Sequence, residues 1–481
     1  MIADRLLGAN LPPGLTGRTV TGLTSDSRRV KPGHIFVALK GYVADGHDYV
    51  QAASDAGAMA IVAERAVDAG GVPVVVNAQA RRWLAEAASL FFGAQPAHVV
   101  AITGTNGKSS SVDFLRQIWA HSGLKAASMG TLGAIGPEGS IELGHTTPDP
   151  VAIHETMAKL ARGGVSHMAM EASSHGLEQH RLDGVALSAV AFTNFTQDHL
   201  DYHETMDAYR AAKTRLFTEL APKGCPAVIN ADSAHHEHFE SAAVHAGLKP
   251  LSVGWRGRDL KIAELSPKAT GQHLTLKWDG AEHKLMLPLI GEFQALNALT
   301  AAGCALALGM DFDTVMAGMT ALKPVKGRLE YVGQTGAGAA VFVDYAHTPD
   351  GLETLLRAAR PHTASKLFVV FGCGGDRDAS KRPLMGEVAA KHADMVIVTD
   401  DNPRSEDPAT IRQAVLSGAP EASEIGDRAE AIRTAISQLQ AGDTLVIAGK
   451  GHETGQVVGD TVIPFSDQDE AHKALVEVTH V

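Results

Sequence analysis

Gly104, Thr105, Asn106, Gly107, Lys108, Ser109 and Ser110 sit between an apolar run, HVVAI at 98–102, and the segment SVDFLRQIWAHSG. In that segment positions 112, 115, 118 and 119 share one helical face. A buried strand, a glycine turn and a helix start put backbone N–H groups and the positive end of a helix where phosphates bind. Lys108 adds a cation for the outer phosphates, and the Ser109 hydroxyl adds an oxygen ligand for nucleotide-bound Mg²⁺. The expectation is ATP with Mg²⁺. The general phosphate-loop pattern asks for glycine at position 102, where this chain has Ile102, so the loop is a compact variant. A glycine turn with a surface lysine is the bland alternative, and it does not explain Lys-Ser at the helix start.

Two further residues are candidates for the same edge. Glu171 ends a predicted strand, MAME at 168–171, and His199 lies in TNFTQDHLDYH after another. Taken alone, a pair so distant in sequence is more often a satisfied histidine and a surface carboxylate than a metal site.

These residues need a scaffold, and the chain is long enough to provide several. Its 481 residues exceed what one hydrophobic core organises, so about three domains of about 150 residues are expected. Apolar runs of strand length alternate with helix-period segments, which is the pattern of parallel sheets covered by helices. The fold class is α/β. Strands are predicted at 35–39, 60–63 and 72–76, then at 98–102, 168–171, 189–194 and 227–230. KIAELS, HLTLKW and HKLMLPL, between about 260 and 290, read as antiparallel, and AVFVDYA, KLFVVFG, MVIVTDD and TLVIAG as a final parallel set. Glycine and proline near Phe92–Pro96 and the segment VKGRLE at 325–330 punctuate the pattern. The expected domains are therefore 1–95, 96–326 and 327–481, the middle one a phosphate-loop ATPase with a mostly parallel sheet and the last Rossmann-like.

Composition narrows the partners. Forty-two Lys and Arg against 54 Asp and Glu give 42 − 54 = −12, which argues against a nucleic-acid surface. Cys225, Cys304 and Cys373 lack metal-site or disulfide spacing. No apolar run approaches the roughly 18 residues of a membrane span, and the N-terminus has no secretory pattern. A cytoplasmic protein acting on small molecules is expected, with a monomer as the default.

GTNGKS, MEASSHGLEQHR at 170–181, FTNFTQDHLDYH at 192–203, GEFQALNALTA at 291–301 and DYAHTPD at 344–350, in this order and spacing, resemble the Mur ligases. SDSRRVKPGHIFVALKG at 25–41 is positioned alike, as are FGCGGDRDASKRPLMG at 371–386, DDNPRSEDP at 400–408 and AGKGHE at 448–453. The resemblance implies an ATP-dependent, amide-forming ligase of peptidoglycan precursor synthesis that activates a substrate carboxylate as an acyl phosphate. A ligase of the same core that extends folates, or one adding another amino acid, is the neighbouring alternative. An ATP-driven switch is the alternative of a different class.

The resemblance also implies roles. Lys108, Lys213 and His199 become catalytic, with Mg²⁺ held at Ser109, Glu171, His199 and a carbamylated Lys213. Asn297, Arg328 and Asp344 join the loop in seating ATP. Ser25, Ser27, Tyr42, Val43 and Ala44 match contacts to a UDP group, and Thr146, Thr147, Ser173, Gln179 and Arg181 match contacts to a muramoyl dipeptide. His145 departs from the asparagine expected there. Arg377, Asp401, Asn402, Pro403, Arg404, Gly449 and Glu453 match a site for meso-diaminopimelate. Its distal carboxylate suits forked arginine hydrogen bonds, and its distal ammonium suits Glu453 and the asparagine oxygen.

Overall fold

Each predicted strand is a strand in the computed structural model, which describes residues 1–41 and 44–479. Tyr42 and Val43, two of the expected UDP contacts, lie outside the described residues. The chain divides into two compact units, Met1–Arg258 with Thr300–Val315, and Asp259–Leu299 with Met316–Val481.

The first unit contains two sheets. Gly22–Thr24, His34–Ala38, Ala60–Ala63 and Val74–Val76 pair in that order, all parallel. Parallel strands are buried on both faces, which is why Ile35, Phe36, Val37 and Ala38 run apolar without alternation. The helix Ala80–Phe92, not foreseen, covers this sheet with Leu84, Ala87 and Ala88 and ends at Gly93 in the left-handed conformation. In the second sheet the order is Lys249–Gly254, Pro226–Asn230, Ala189–Phe192, His98–Thr103, His167–Glu171 and Ala126–Gly130, all parallel. A short antiparallel extension, Gly133–Gly136 and Gly139–Ile141, finishes that edge.

The second unit holds the antiparallel strands Leu260–Lys268, Gly271–Trp278 and Ala281–Leu287, as the alternation near 260–290 predicts. Its larger sheet runs Glu330–Gln334, Ala340–Asp344, Thr444–Ala448, Leu367–Phe371, Met395–Val398, Ser423–Glu424. All but the first pairing are parallel. Side chains two apart share a face. Val341, Val343, Phe368 and Val370 therefore pack under the helices Arg428–Gln438 and Asp467–Thr479, while Phe342, Val369 and Phe371 face Pro349–Ala359 and Lys381–His392. Helices on both faces make this a doubly wound sheet, as expected for a Rossmann-like unit. Among the described residues no helix is long and apolar enough to cross a membrane.

Candidate functional site

The helix Lys108–His121 begins at Gly107, whose φ of 80° is left-handed, and no side chain caps it. The helix Pro150–Arg162 differs, because the Asp149 carboxylate accepts from Val151 and Ala152 N–H. The first N–H groups of a helix have no intrahelical partner, so the uncapped start at Lys108 suits an anionic ligand. Lys108 Nζ folds back onto the Gly104 and Thr105 carbonyls, at 2.9 and 2.7 Å. The loop itself is braced by Thr193 Oγ1 donating to Asn106 O at 2.6 Å and by Asn194 Oδ1 accepting from Asn106 N–H at 2.8 Å.

Ser109 and Glu171, 62 residues apart, meet at 2.8 Å through the Ser109 hydroxyl and Glu171 Oε1. The parallel pairing of His98–Thr103 with His167–Glu171 brings both to one sheet edge. Glu171 Oε1 also accepts from Thr131 N–H at 2.8 Å. A hydroxyl beside a carboxylate fits Mg²⁺, which takes one or two protein oxygens and completes its shell with phosphate and water. Among the described residues no three His, Cys, Asp or Glu side chains gather into a metal cage.

Lys213 is the most unusual group here. It is 1% exposed, and its Nζ donates to the same Gly104 carbonyl that Lys108 uses, at 2.7 Å. Burial first, and then the neighbouring Lys108 charge, hold its amine well below the ordinary lysine range, while Asp198 opposes them. Its Nζ sits 4.5 Å above the Tyr209 ring. The Tyr209 hydroxyl meets Thr105 Oγ1 at 3.1 Å and is pushed up to about 12 by burial. Tyr209 was not foreseen, although its place four residues before Lys213 on the helix Met206–Arg215 puts both on one face. A π-helical turn, Leu216–Leu220, follows directly. His199 closes the group with its ring 6.1 Å from Tyr209 and 4.9 Å from His175. Its φ of 53° is left-handed, which costs a non-glycine residue on the order of 1–2 kcal/mol. As an unmodified donor Lys213 is no metal ligand, whereas a carbamate on the same nitrogen would offer oxygens.

Hydrogen bonds extend this cluster toward the residues matched to the muramoyl dipeptide. Thr147 Oγ1 donates to Glu171 O at 3.0 Å and accepts from Ser173 N–H. Arg181 Nη1 donates to Thr147 O at 2.5 Å, and its Nε and Nη2 go to Gln179 Oε1. Gln179 reaches Tyr202 Oη at 2.9 Å. Thr146 meets Thr131 through their hydroxyls at 3.1 Å, and His145 is exposed. Ser25 and Ser27 follow the strand Gly22–Thr24, and Ala44 follows His34–Ala38, with Gly41 N–H donating to Ala44 O at 2.9 Å. Both loops leave carboxyl ends of adjacent parallel strands, a usual rim for ligands.

The remaining candidates fall in the second unit. Asn297 donates to Gln294 Oε1 at 3.1 Å, and Gln294 donates to Arg328 O. Arg328 lies over the Tyr345 ring at 5.1 Å. Asp344 accepts from Leu329 and Ala346 N–H, both at 2.7 Å, and burial raises its carboxyl despite Arg328. Thus the ATP candidates divide: the phosphate loop belongs to one unit, and these three residues to the other.

Gly449 N–H donates to Asp344 O at 3.1 Å, which joins that set to the candidate amino-acid residues. Asp401, Asn402 and Pro403 are buried, and Arg404 has a φ of 53° with Nη1 donating to Gly375 O at 2.7 Å. Arg377 is exposed nearby and donates to Asp376 O. Asn402 Nδ2 donates to Glu453 Oε2 at 2.9 Å. The asparagine oxygen expected to receive an ammonium has protein donors in this structure. Asn402 Oδ1 already accepts from Lys450 Nζ and Val457 N–H, both at 2.9 Å, which uses both of its lone pairs. Lys450 falls within AGKGHE at 448–453, where nothing in its spacing marks it as buried.

Comparison with known proteins identifies the family. Residues 19–92 match the family model described as the Mur ligase family catalytic domain, 102–305 the Mur ligase middle domain, and 327–451 the Mur ligase glutamate ligase domain. The chain is 53% identical over 463 residues to "UDP-N-acetylmuramoyl-L-alanyl-D-glutamate--2,6-diaminopimelate ligase" of Chelativorans sp. (strain BNC1), covering 96% of each chain. It is 53% identical over 470 residues to the Caulobacter vibrioides protein of the same name, covering 96% of this chain and 97% of that one. A solved structure of a protein with that name matches with a TM-score of 0.78 and 33% identity over all of both chains. The chain belongs to the Mur ligase family.

Proposed function

We propose that the protein is the ATP-dependent ligase that joins meso-2,6-diaminopimelate to UDP-N-acetylmuramoyl-L-alanyl-D-glutamate, in cytoplasmic synthesis of peptidoglycan precursors. The observation that carries this reading is the 53% identity, over nearly the whole length, to ligases of that name. The substrate's D-glutamate carboxylate oxygen attacks the γ-phosphorus of ATP, and the bond to ADP breaks. The amine of the incoming amino acid then attacks the acyl carbon, loses a proton, and phosphate leaves.

Both steps bring anions together, so the site must supply cations and dipoles. Lys108 and the N–H groups at Gly107–Ser110 would hold the phosphates, with Lys108 exchanging its loop carbonyls for phosphate oxygens. Mg²⁺ bound by Ser109 and Glu171 would neutralise charge between phosphates. Lys213, whose amine burial and the Lys108 charge hold well below the ordinary lysine range, would as the free amine add to carbon dioxide, forming an N–C bond and releasing a proton. The carbamate would turn a donor into an oxygen acceptor beside His199. Arg181 and Gln179 would orient the dipeptide, and Arg404 and Arg377 the distal carboxylate of the amino acid.

The division into 1–95 for the UDP group, 96–326 for ATP and 327–481 for the amino acid belongs to this reading. So do a monomeric state and action without nucleic acid or membrane. The test is ATP-dependent phosphate release in the presence of the UDP-muramoyl dipeptide, with product mass recorded for meso-diaminopimelate and for L-lysine. Release and mass gain confined to diaminopimelate are expected. Equal use of lysine would remove the specificity, and no product with either amine would remove the ligase assignment.

A further inference from the structure

Lys450 has no part in the steps above, yet its side chain is wholly buried. Its Nζ lies 2.9 Å from Asn402 Oδ1, 3.2 Å from Glu453 Oε2 and 3.5 Å from Asp401 Oδ1. A buried ammonium is costly unless its donors are matched. Here all three acceptors belong to the two loops that carry the candidate amino-acid residues.

The chemistry of these neighbours runs in one direction. Lysine and the Val457 N–H can only donate, and both point at Asn402 Oδ1, while the Glu453 carboxylate accepts from Asn402 Nδ2 at 2.9 Å. The amide is therefore set with its oxygen toward Lys450 and its nitrogen toward Glu453. Charge points the same way. Lys450 Nζ offsets the Glu453 and Asp401 carboxylates from 3.2 and 3.5 Å. Its loss leaves those two negative charges less compensated, which favours an amino acid ending in a bare ammonium over one whose end also carries a carboxylate.

We propose that Lys450 is a positioning residue that selects the amine substrate, by fixing Asn402 and Glu453 and by offsetting the Asp401 and Glu453 charges that would otherwise draw a bare ammonium. The inference rests on the ligase reading above. Lys450→Met removes the charge and the three donors but keeps a flexible stem. The quantity to measure is the ratio of kcat/KM for meso-diaminopimelate to kcat/KM for L-lysine, with KM for ATP followed in parallel. The ratio should fall about tenfold or more through KM for diaminopimelate, with KM for ATP nearly unchanged. A loss shared equally by both amines, at constant ratio, would mean that Lys450 only supports the fold and would overturn the proposal. If Lys450→Met does not fold, Lys450→Gln, which keeps an N–H for Asn402 Oδ1, carries the same test: a lowered ratio supports the proposal and a constant one overturns it. A wild type that joins neither amine overturns the ligase reading and this inference with it, a result distinct from any change of ratio among active enzymes.

Discussion

At the scale of the residue, Lys213 and Arg404 carry the most consequence. Burial and the Lys108 charge depress the Lys213 amine, so between its folded and unfolded values the unfolded chain binds more protons. Stability is therefore lost as pH falls from the alkaline range through that window. Lys213→Met should abolish ligation while nucleotide binding survives, and in carbon dioxide-free buffer at neutral pH it should raise the thermal midpoint above wild type. Calorimetry beside a phosphate-release assay checks both. Wild-type turnover in the variant would remove Lys213 from the chemistry, and a lowered midpoint would contradict the electrostatic account. Arg404, held in a left-handed backbone with Nη1 on Gly375 O, is assigned to the amino acid alone. Arg404→Ala should raise KM for diaminopimelate by about 10-fold or more, the loss expected of a charge-assisted bond worth roughly 1.5–3 kcal/mol. KM for ATP should barely move, and equal changes in both would refute the assignment.

At the scale of the element, what matters is how strand ends and helix starts aim these groups. Arg428 illustrates the support beneath them. It is fully buried, paired at 2.7 Å through Nε and Nη2 with Asp467, and donates at 2.9 Å to Ala448 O, the last residue of the strand that leads into Gly449 and Lys450. In the first unit the strand Ala126–Gly130 runs beside His167–Glu171, and a Cβ on Gly130 would stand 2.6 Å from both Cγ and Cδ of Glu171. That is closer than packed atoms tolerate, so Gly130→Ala should push the carboxylate off Ser109. Displacement by about 1 Å costs on the order of 100-fold in rate. The expected outcome is a loss of that order together with a raised Mg²⁺ requirement and an unchanged circular dichroism spectrum. Normal activity at low Mg²⁺ would show that Glu171 does not depend on this approach.

At the scale of the whole molecule, the two compact units predict unfolding that is not two-state. All described candidates for the UDP-muramoyl dipeptide, from Ser25 to Arg181, belong to the first unit. That ligand should raise one calorimetric transition, by about 2.7 kcal/mol at a hundredfold excess over Kd, and leave another in place. A single transition shifted as a whole would show that the units unfold together. Much of this was legible beforehand: the strands, the α/β class and the phosphate loop follow from runs of apolar residues and from glycine next to Lys-Ser, because local pattern fixes local structure. Lys213 was legible only through resemblance, since nothing adjacent marks a helix lysine as buried; Glu171 stood as a candidate by its place at a strand end, but nothing adjacent marks its pairing with Ser109. Tyr209 and Lys450 were missed for the same reason, and so were the two donors to the Asn402 oxygen, which come from residues 48 and 55 positions away. The sequence by itself determined the elements, the chemistry of the phosphate loop and the family. Tertiary structure alone decided which lysines lose water and which way an amide faces, because desolvation and hydrogen-bond saturation depend on neighbours that only folding supplies.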